Sequence, residues 1–337
     1  MLQIVLEKPG SFLTTEATEP APAPGHALVR VHRIGVCGTD LHAFAGKQPF
    51  FTYPRVLGHE LGVEVIDPGD APHGLKPGDR CSVEPYLNCG HCIACRRGKP
   101  NCCADLKVLG VHVDGGMRPL FRVPAGKLHK SARLDFDQLA LVETLGIGAH
   151  AVERAQLAAD EFVLVIGAGP IGLSVIQFAR AAGVRLAVLD VSDPRLEFCR
   201  AQLGVSLTLK PGVDVVARLK ELGGGDLPTC VIDATGSPQS MMSSFDLPAH
   251  GGRIVFVGLF QGDVTFNDPN FHRRELTVMG SRNSMPDTFR TVIRLVEEGR
   301  VDTRPWITHR FNLADTAAVF PRDIAGNPAV LKAMIEV

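Results

Sequence analysis

Residues 161–190, EFVLVIGAGPIGLSVIQFARAAGVRLAVLD, decide the fold of the second half of the chain. An apolar run of strand length ends in a glycine-rich turn, a stretch of helix length follows, and a second apolar run ends at Asp190. This order predicts two parallel strands joined by a crossover helix. Gly-x-Gly-x-x-Gly occurs by chance in a chain with 35 glycines, but here it closes a predicted strand and opens a predicted helix, as a dinucleotide-binding fold requires.

The positions of this motif predict contacts to a dinucleotide. Gly167 allows the tight turn, Gly169 lets backbone amides approach a pyrophosphate, and Gly172 permits close packing of helix and strand. Pro170 and Ile171, between these glycines, are assigned to the same site.

Two charged residues bear on the choice of cofactor. Asp190 can accept hydrogen bonds from both ribose hydroxyls and repels a 2′-phosphate, which favours NAD over NADP. Arg195 opposes this preference, because its guanidinium could bind that phosphate. Its alternative roles are a hydrogen bond to the adenosine ribose and a solvated position on a helix. NAD is the predicted cofactor.

The changing pattern of predicted strands and helices along the chain indicates two domains, one of them discontinuous. Strand and helix patterns alternate through residues 146–284, which predicts an α/β domain with a doubly wound parallel sheet. Residues 1–145 are rich in glycine, proline and short β-branched runs, and they predict a mostly β domain. The tail, residues 285–337, is short for a third domain, so we expect it to rejoin the first.

Composition is that of an ordinary globular protein. The 337 residues, 36.2 kDa, exceed what one hydrophobic core usually serves. The formal net charge is −1 and basic residues are scattered, which gives no case for a nucleic-acid or membrane partner. Apolar stretches are broken well before the ~18 residues of a spanning helix. The opening MLQIVLEKPG has no secretory signal pattern, so a cytoplasmic location is expected.

Several of the nine cysteines cluster in a lobe at residues 85–105. Glycines and prolines separate them without hydrophobic periodicity, so the segment cannot bury a core of its own. Thiolates around a tetrahedral Zn²⁺ would fix such a loop, whereas disulfides need an oxidising compartment. Cys102 competes for the fourth position, and Cys103 is preferred on spacing alone. The sequence therefore predicts a structural zinc site formed by Cys89, Cys92, Cys95 and Cys103.

A second set of potential metal ligands lies in separate segments. Cys37 opens the sequence CGTDLH, and His59 and Glu60 are adjacent in GHE. Alone, such a cysteine or histidine is usually a core or hydrogen-bonded residue, but together they supply the ligand types of a catalytic zinc with one open position. Glu143, in LVETLGIGAH, is a further candidate, whose alternative role is an acid in the first turn of a helix.

The chain resembles the zinc-dependent medium-chain alcohol and polyol dehydrogenases over essentially its whole length. The resemblance rests on Cys37, His59-Glu60, the four-cysteine lobe, and residues 167–172 followed by Asp190, in this order. It implies a GroES-like catalytic domain around a Rossmann domain, with the active site in the cleft between them. It also implies an NAD-dependent enzyme with two zinc ions per chain, one catalytic and one structural.

The resemblance implies roles for the residues around Cys37. Thr39 would hydrogen-bond the substrate hydroxyl, His42 would end a proton relay through the nicotinamide ribose, and Asp40 would hold the ring of His59. The expected reaction is oxidation of a secondary alcohol, in which zinc lowers the pKa of the hydroxyl and hydride passes to the nicotinamide.

One position distinguishes two branches of this family. The alcohol-oxidising branch has a cysteine where this chain has Glu143, whereas the sorbitol-dehydrogenase-like branch has a glutamate. A carboxylate donates less charge than a thiolate and leaves the metal a stronger Lewis acid. Whether Glu60 or Glu143 binds the metal at rest stays open.

Other residues are assigned to the cofactor and the substrate. Those that follow late strands of the predicted sheet would hold the nicotinamide end, with ordinary strand-end roles as the alternative; they are Val257, Gly258, Arg282 and Asn283. Arg118 and His272, together with Arg282 and Asn283, lie in segments that resemble the cleft lining of the family, and such a polar set suits a polyol or sugar acid.

Two segments narrow the predicted substrate. Residues 114–121, DGGMRPLF, and 280–284, GSRNS, look most like a bacterial subgroup that acts on hexonates such as galactonate. Pro119 and Leu120 stand where many relatives carry an acidic–aromatic pair. L-threonine and simple secondary alcohols are the alternative substrates.

Two other classes of protein serve as alternatives. A zinc-free quinone-reductase-like relative would lack Cys37 and His59, both of which are present. A non-enzymatic, zinc-binding regulatory protein would keep the four-cysteine lobe but would not need Thr39, His42 and Asp190.

Residues 275–280, ELTVMG, predict how the chain assembles. They form a short, largely apolar strand pattern at the end of the predicted sheet, and exposed apolar edges favour pairing. A homodimer or homotetramer is expected. The alternative is an edge blunted by Arg273, Arg274 and Glu275.

Overall fold

The computed structural model describes residues 1–49, 51–70 and 74–337, which form two compact units. The first unit consists of Met1–Thr144 and Ser284–Val337, and the second unit of Leu145–Asn283. Each unit has its own sheet and its own core.

The first unit is mainly β. Its strands before the second unit are β1 (Leu2–Lys8), β2 (Ser11–Glu16), β3 (His26–Gly35), β4 (Glu60–Asp67), β5 (Arg80–Val83), β6 (Tyr86–Leu87), β7 (Lys107–Val108), β8 (Leu120–Pro124) and β9 (Leu128–Lys130). Its helices there are α1 (Gly38–Phe44), α2 (Ile93–Arg96) and α3 (Phe136–Ala155), which continues into the second unit.

The second unit alternates strands and helices. They are β10 (Phe162–Ile166), α4 (Pro170–Ala181), β11 (Arg185–Leu189), α5 (Asp193–Leu203), β12 (Leu207–Leu209), α6 (Val215–Leu222), β13 (Cys230–Asp233), α7 (Pro238–Ser243), β14 (Arg253–Phe256), α8 (Asp268–Arg273) and β15 (Thr277–Gly280). The chain then returns to the first unit with α9 (Pro286–Glu297), β16 (Ile307–Asn312), α10 (Thr316–Val319) and β17 (Lys332–Glu336).

The main sheet of the first unit includes the end of the chain. Its order is β16-β17-β3-β4-β5-β9, and β8 also pairs with β3. Strand β17 runs antiparallel to β3, with Met334 opposite Gly35. Alternate residues of β4, Leu61, Val63 and Val65, are fully buried together with partners from β3, which gives the unit one apolar core.

The second unit contains the parallel sheet that the sequence predicts. Its order is β12-β11-β10-β13-β14-β15, and every neighbouring pair is parallel. All five residues of β10 are buried, as expected for the central strand of a sheet covered on both faces. Strand β15 ends the sheet, and its residues are exposed or only half-buried.

Strand β4 lies directly against α3. A Cβ atom at Gly62 would come within 2.2 Å of the Phe136 carbonyl oxygen and 3.2 Å of the Ala140 nitrogen. Residues two apart in a strand share a face, so Glu60 is on the side of β4 that meets this helix. Glu143 follows Ala140 by three residues and lies on the same face of α3.

Among the helices of the described residues, none has both the length and the apolar character needed to cross a bilayer.

Candidate metal and cofactor sites

Helix α1 brings together several residues that the sequence assigned to catalysis. Cys37 precedes the helix, and its N–H donates to Asp40 Oδ2 at 2.9 Å, which caps the first turn. Thr39 and His42, three positions apart, share one face of α1. Thr39 is half-buried and His42 is exposed, so this face is open to water.

Cys37, His59 and Glu60 converge in the first unit. Their ligand atoms all lie within 4.8 Å of one another, and His59 and Glu60 are almost fully buried. Asp40 Oδ1 lies 3.7 Å from His59 Nδ1, beside the ring. Such a carboxylate behind a histidine commonly fixes the ring of a metal ligand. We call Cys37, His59 and Glu60 the mixed-ligand group.

The mixed-ligand group fits a cation. Within the described residues, Asp40 Oδ1 and His59 Nδ1 are buried without a hydrogen-bond partner. Burial opposes the charging of His59, but Asp40 and Cys37 outweigh it and hold the pKa of the imidazole well above its usual value. The site therefore favours positive charge, and its sulfur, nitrogen and oxygen donors are those that Zn²⁺ accepts.

Glu60 has a partner that the sequence did not predict. Lys332 Nζ, on β17, lies 2.6 Å from each carboxylate oxygen of Glu60, and it also donates to Val36 O at 3.0 Å. Burial alone would lower the pKa of Lys332, but Glu60 and Cys37 raise it above the ordinary value. The ammonium group thus stays charged and offsets the charge of Glu60.

Gly35 leaves the space that Glu60 occupies. The two residues are opposite each other in β3 and β4, and a Cβ atom at Gly35 would lie 2.0 Å from Glu60 Oε2. A larger residue at position 35 would displace the Glu60 carboxylate, so the site requires a glycine there.

Glu143 is in the interior of α3, so its alternative placement in the first turn of a helix is wrong. The helix begins at Phe136 and runs through both glycines of LVETLGIGAH. Gly148 is tolerated because a Cβ atom there would lie 2.1 Å from Ser174 Oγ of α4, so the close packing of α3 and α4 requires a glycine. Glu143 Oε1 accepts a hydrogen bond from the phenol of Tyr86, another residue that the sequence did not indicate.

The four thiols of the lobe form a second group of potential metal ligands. Cys89, Cys92, Cys95 and Cys103 have their Sγ atoms within 4.8 Å of one another. Backbone amides point at the sulfurs, from Cys89 N to Cys103 Sγ at 3.2 Å and from Cys92 N to Cys89 Sγ at 3.3 Å. We call these residues the four-thiol group.

The four-thiol group also fits a metal ion. Amides of Ala104 and Cys95 lower the pKa of the Cys92 thiol to about 6, which favours the thiolate form that binds metals. The Cys89 amide acts in the same direction on Cys103, but burial and the Cys89 thiol outweigh it and raise the pKa of Cys103 to about 11. Cys103 belongs to the group, whereas the neighbouring Cys102 is exposed. Four sulfur ligands are the number that a structural zinc site uses.

The glycine motif of the second unit forms the turn between β10 and α4. Gly167 has φ +96°, which favours glycine, and a Cβ atom at Gly172 would lie 1.8 Å from Gly167 O. Helix α4 begins at Pro170, with Gly169 as the residue that precedes it, so Pro170 and Ile171 are in its first turn. The N-terminus of α4 thus lies at the carboxyl end of the sheet, a place where backbone amides can bind an anion.

Asp190 and Arg195 both lie at this turn. The carboxylate of Asp190 accepts hydrogen bonds from Ala168 N at 2.5 Å and from Ser192 N at 2.7 Å. Arg195 Nη1 is 3.3 Å from where a Cβ atom of Gly169 would be. The acid and the guanidinium therefore flank the same glycine-rich turn.

The residues assigned to the nicotinamide end follow strands β14 and β15. The amides of Val257 and Gly258 donate to Asp233 O at 2.9 and 3.2 Å. Gly258 is close to the neighbouring loop, since a Cβ atom there would lie 2.1 Å from Gly236 N. Arg282 is exposed, and Asn283 has φ +53°, a left-handed conformation.

The two residues assigned to the substrate lie in different units. Arg118 is in the first unit, where it donates to Gly115 O at 3.1 Å and Gln3 Oε1 at 3.3 Å. Its guanidinium is also 5.1 Å from the centre of the Phe121 ring, so it has structural partners of its own. His272 is exposed on α8 in the second unit.

Comparison with known proteins identifies the family. Residues 23–133 match the alcohol dehydrogenase GroES-like domain, and residues 170–298 match the zinc-binding dehydrogenase family. The chain belongs to the zinc-type alcohol dehydrogenases, and it is an oxidoreductase of that class. The predicted resemblance and the predicted fold, a GroES-like domain with a Rossmann-type sheet, are confirmed.

Among its relatives is the L-galactonate-5-dehydrogenase of Escherichia coli K12, which is 41% identical over 98% of each chain. Among solved structures, an alcohol dehydrogenase, RspB, of E. coli CFT073 complexed with NADH is 31% identical. It has a TM-score of 0.90 and covers 100% of this chain and 99% of that one. A zinc-binding dehydrogenase of Sinorhizobium meliloti 1021 bound to NADP is 29% identical, with a TM-score of 0.91 and coverage of 100% and 99%.

Proposed function

We propose that the protein oxidises a secondary alcohol group of a hexonate, such as galactonate, or of a related polyol to the ketone, with NAD as hydride acceptor. The convergence of Cys37, His59 and Glu60, in a chain 41% identical to an L-galactonate-5-dehydrogenase, carries this proposal. The reaction needs a small-molecule substrate, a nicotinamide cofactor and zinc.

The mixed-ligand group would hold the catalytic zinc, which when bound supplies the Lewis acidity that lowers the pKa of an alcohol. Asp40 orients His59 from behind the ring. Thr39 accepts the substrate proton and passes it toward His42, since both lie on one open face of α1. Glu143 is retained as a fourth candidate ligand.

The four-thiol group would hold a second, structural zinc, so that each chain contains two zinc ions. Its set of four sulfur ligands supports this proposal. A metal there would stabilise the lobe of the first unit directly.

NAD is the proposed cofactor. Relatives of known structure are bound to NADH in one case and to NADP in another, so the choice rests on residues of this chain. Asp190 places a carboxylate at the glycine turn, where a 2′-phosphate would be repelled. Val257, Gly258, Arg282 and Asn283 are proposed to hold the nicotinamide end.

The boundaries of the two domains and the function of each are also proposed. Residues 1–145 and 285–337 would form the GroES-like catalytic domain, and residues 146–284 the NAD-binding domain. Family matches to residues 23–133 and 170–298 support this division. A cytoplasmic location is proposed as well, because thiols stay reduced there and able to bind zinc.

Assembly into a homodimer or homotetramer is proposed to use β15. This strand ends the six-stranded sheet, and Val278 is 39% exposed on it. Pairing with a second copy would satisfy its outer backbone groups.

The substrate proposal is tested by NAD reduction with a panel of aldonates, polyols, L-threonine and 2-butanol. A pocket built for a polyhydroxylated acid leaves polar groups unpaired around 2-butanol, so kcat/KM should favour at least one aldonate or polyol by about 10³-fold or more. The His59→Ala variant serves as the inactive control. Comparable efficiency on 2-butanol and on every aldonate and polyol of the panel would contradict the proposal.

A further inference from the structure

Tyr86 is held rigidly against Glu143. Its phenol donates to Glu143 Oε1, and the two residues are 3% and 5% exposed. The Tyr86 ring lies edge-on to Phe289 with centroids 6.4 Å apart, and Phe289 stacks on His129 at 4.8 Å. Residues of β9 and α9 therefore hold the ring of Tyr86, on β6, in place, and Glu143 Oε1 is the acceptor toward which its O–H bond points.

A phenol acts on a carboxylate differently from the ammonium group that binds Glu60. It directs a lone pair of one oxygen without cancelling the negative charge. The phenol donates its single O–H bond to Glu143 Oε1 and leaves the other carboxylate oxygen to other partners. Glu143 can thus offer its other oxygen and its charge to a cation.

Glu143 lies in the direction of the mixed-ligand group. It is on the face of α3 that meets β4, on the side of that strand that carries Glu60. The negative charge of a carboxylate on this face acts on a cation held by the neighbouring ligands. The orientation of this carboxylate therefore matters to a metal ion bound at His59.

Both ends of the segment that carries Tyr86 are anchored. At one end, Glu84 is 1% exposed and binds Lys127 and, at 3.0 Å, His129. At the other end, Asn88 Nδ2 lies 3.7 Å from Cys95 Sγ of the four-thiol group. Tyr86 is thus fixed on a short span between a buried polar network and the lobe.

We propose that Tyr86 is a positioning residue that holds Glu143 in the orientation required by a metal ion at Cys37 and His59. This inference rests on the proposed function in taking these two residues as catalytic metal ligands. If Tyr86 served packing alone, its ring would be sufficient. Loss of the hydroxyl would then leave the binding and the spectrum of a metal ion at Cys37 and His59 unchanged.

The first test compares Tyr86→Phe with Tyr53→Phe in Co²⁺-substituted protein. Tyr53 is the other tyrosine of the chain, and its hydroxyl donates to the Ala43 carbonyl. In Tyr86→Phe we expect the cobalt absorption of the mixed-ligand group to change and its cobalt affinity to fall roughly tenfold, the scale of one hydrogen bond to a charged group. In Tyr53→Phe both should match the wild type.

The cobalt signal of the four-thiol group is subtracted with the Cys37→Ser variant. In turnover, loss of positioning should lower kcat by roughly tenfold or more and change KM less. A Tyr86→Phe protein with wild-type cobalt spectrum, affinity and kcat would overturn the proposal.

A second measurement keeps Tyr86 and therefore does not depend on folding of Tyr86→Phe. Because the chain has two tyrosines, a Tyr53→Phe variant labelled with fluorotyrosine carries one fluorine, at Tyr86. Zinc added to the metal-free protein should shift this resonance more in Tyr53→Phe than in Tyr53→Phe/His59→Ala. An identical response in the two variants would refute the link between Tyr86 and the mixed-ligand group.

These readouts are independent of the substrate. If no aldonate or polyol supports NAD reduction while cobalt and fluorine signals respond as expected, the proposed function is wrong and the role of Tyr86 stands. If NAD is reduced but neither signal responds, the opposite holds.

Discussion

Lys332 and Glu60 form an ion pair inside the first unit, with side chains 2% and 1% exposed and Nζ 2.6 Å from both carboxylate oxygens. They are 272 residues apart in sequence and join β17 to β4. The net contribution of a buried ion pair to stability is often small, but removing one partner leaves an uncompensated charge. The pair therefore determines whether Glu60 can remain next to Cys37 and His59.

Lys332→Met should destabilise the fold by about 3–5 kcal/mol, because Glu60 would be buried without its counter-ion. The double variant Lys332→Met/Glu60→Gln should lose clearly less than the sum of the two single variants. Urea unfolding at matched zinc content measures both. Lys130→Met breaks the more exposed pair with Asp79 and should cost about 1 kcal/mol or less. Additive losses in the double variant would show that the pair is not coupled.

Loss of either metal group should have a different consequence. Cys37→Ser and His59→Ala should each contain one zinc fewer and lose turnover, with a melting temperature near that of the wild type, because an open site does not hold the fold together. Cys92→Ser should also lose one zinc but melt about 5–10 °C lower, since a closed site contributes folding free energy. Elemental analysis and thermal melts give the measurements. Wild-type turnover in His59→Ala would refute the catalytic assignment.

Asp190→Ser should weaken NAD binding. The preference for NAD over NADP, expressed as a free-energy difference, should fall by roughly 1–3 kcal/mol, the scale of one charge-assisted contact. The ratio of kcat/KM for the two cofactors measures this. Asp193→Ser, which removes a nearby exposed acid paired with Lys210, should leave the ratio unchanged. A wild-type preference for NADP would instead show that Arg195 dominates.

Val278→Pro should dissociate the oligomer, because proline removes a backbone donor and cannot continue a paired strand. Val278→Thr keeps the N–H group and should remain associated. Sedimentation at micromolar concentration distinguishes the two. A 36.2 kDa species for the wild type, or an oligomeric Val278→Pro, would exclude β15 as the interface.

The parts of the fold that were predictable from sequence have their determinants in one short stretch. Strand, glycine turn, helix and Asp190 follow one another within residues 161–190, so the turn between β10 and α4 needed no knowledge of distant contacts. The four-thiol group is equally local, because its cysteines fall within 15 residues, 89–103.

Partners that depend on long-range pairing were missed. Tyr86 reaches Glu143 across 57 residues, and nothing near either residue signals the contact. Lys332 had a weak signal, since it stands in the otherwise apolar run AVLKAMI, where a charge needs a buried partner. Its identity could not be predicted, because the pairing of β17 with β3 brings Lys332 near Glu60.

The position of Lys332 on β17 has a consequence for biosynthesis. Glu60 is made early, but its counter-ion is added only after the whole second unit has left the peptidyl-transferase centre. Until translation is almost complete, Glu60 therefore lacks Lys332 as a partner, and the part of β3 that pairs with β17 lacks its neighbouring strand. The second unit, residues 145–283, is complete in sequence before Lys332 is made. It can therefore fold while the first unit still lacks β17.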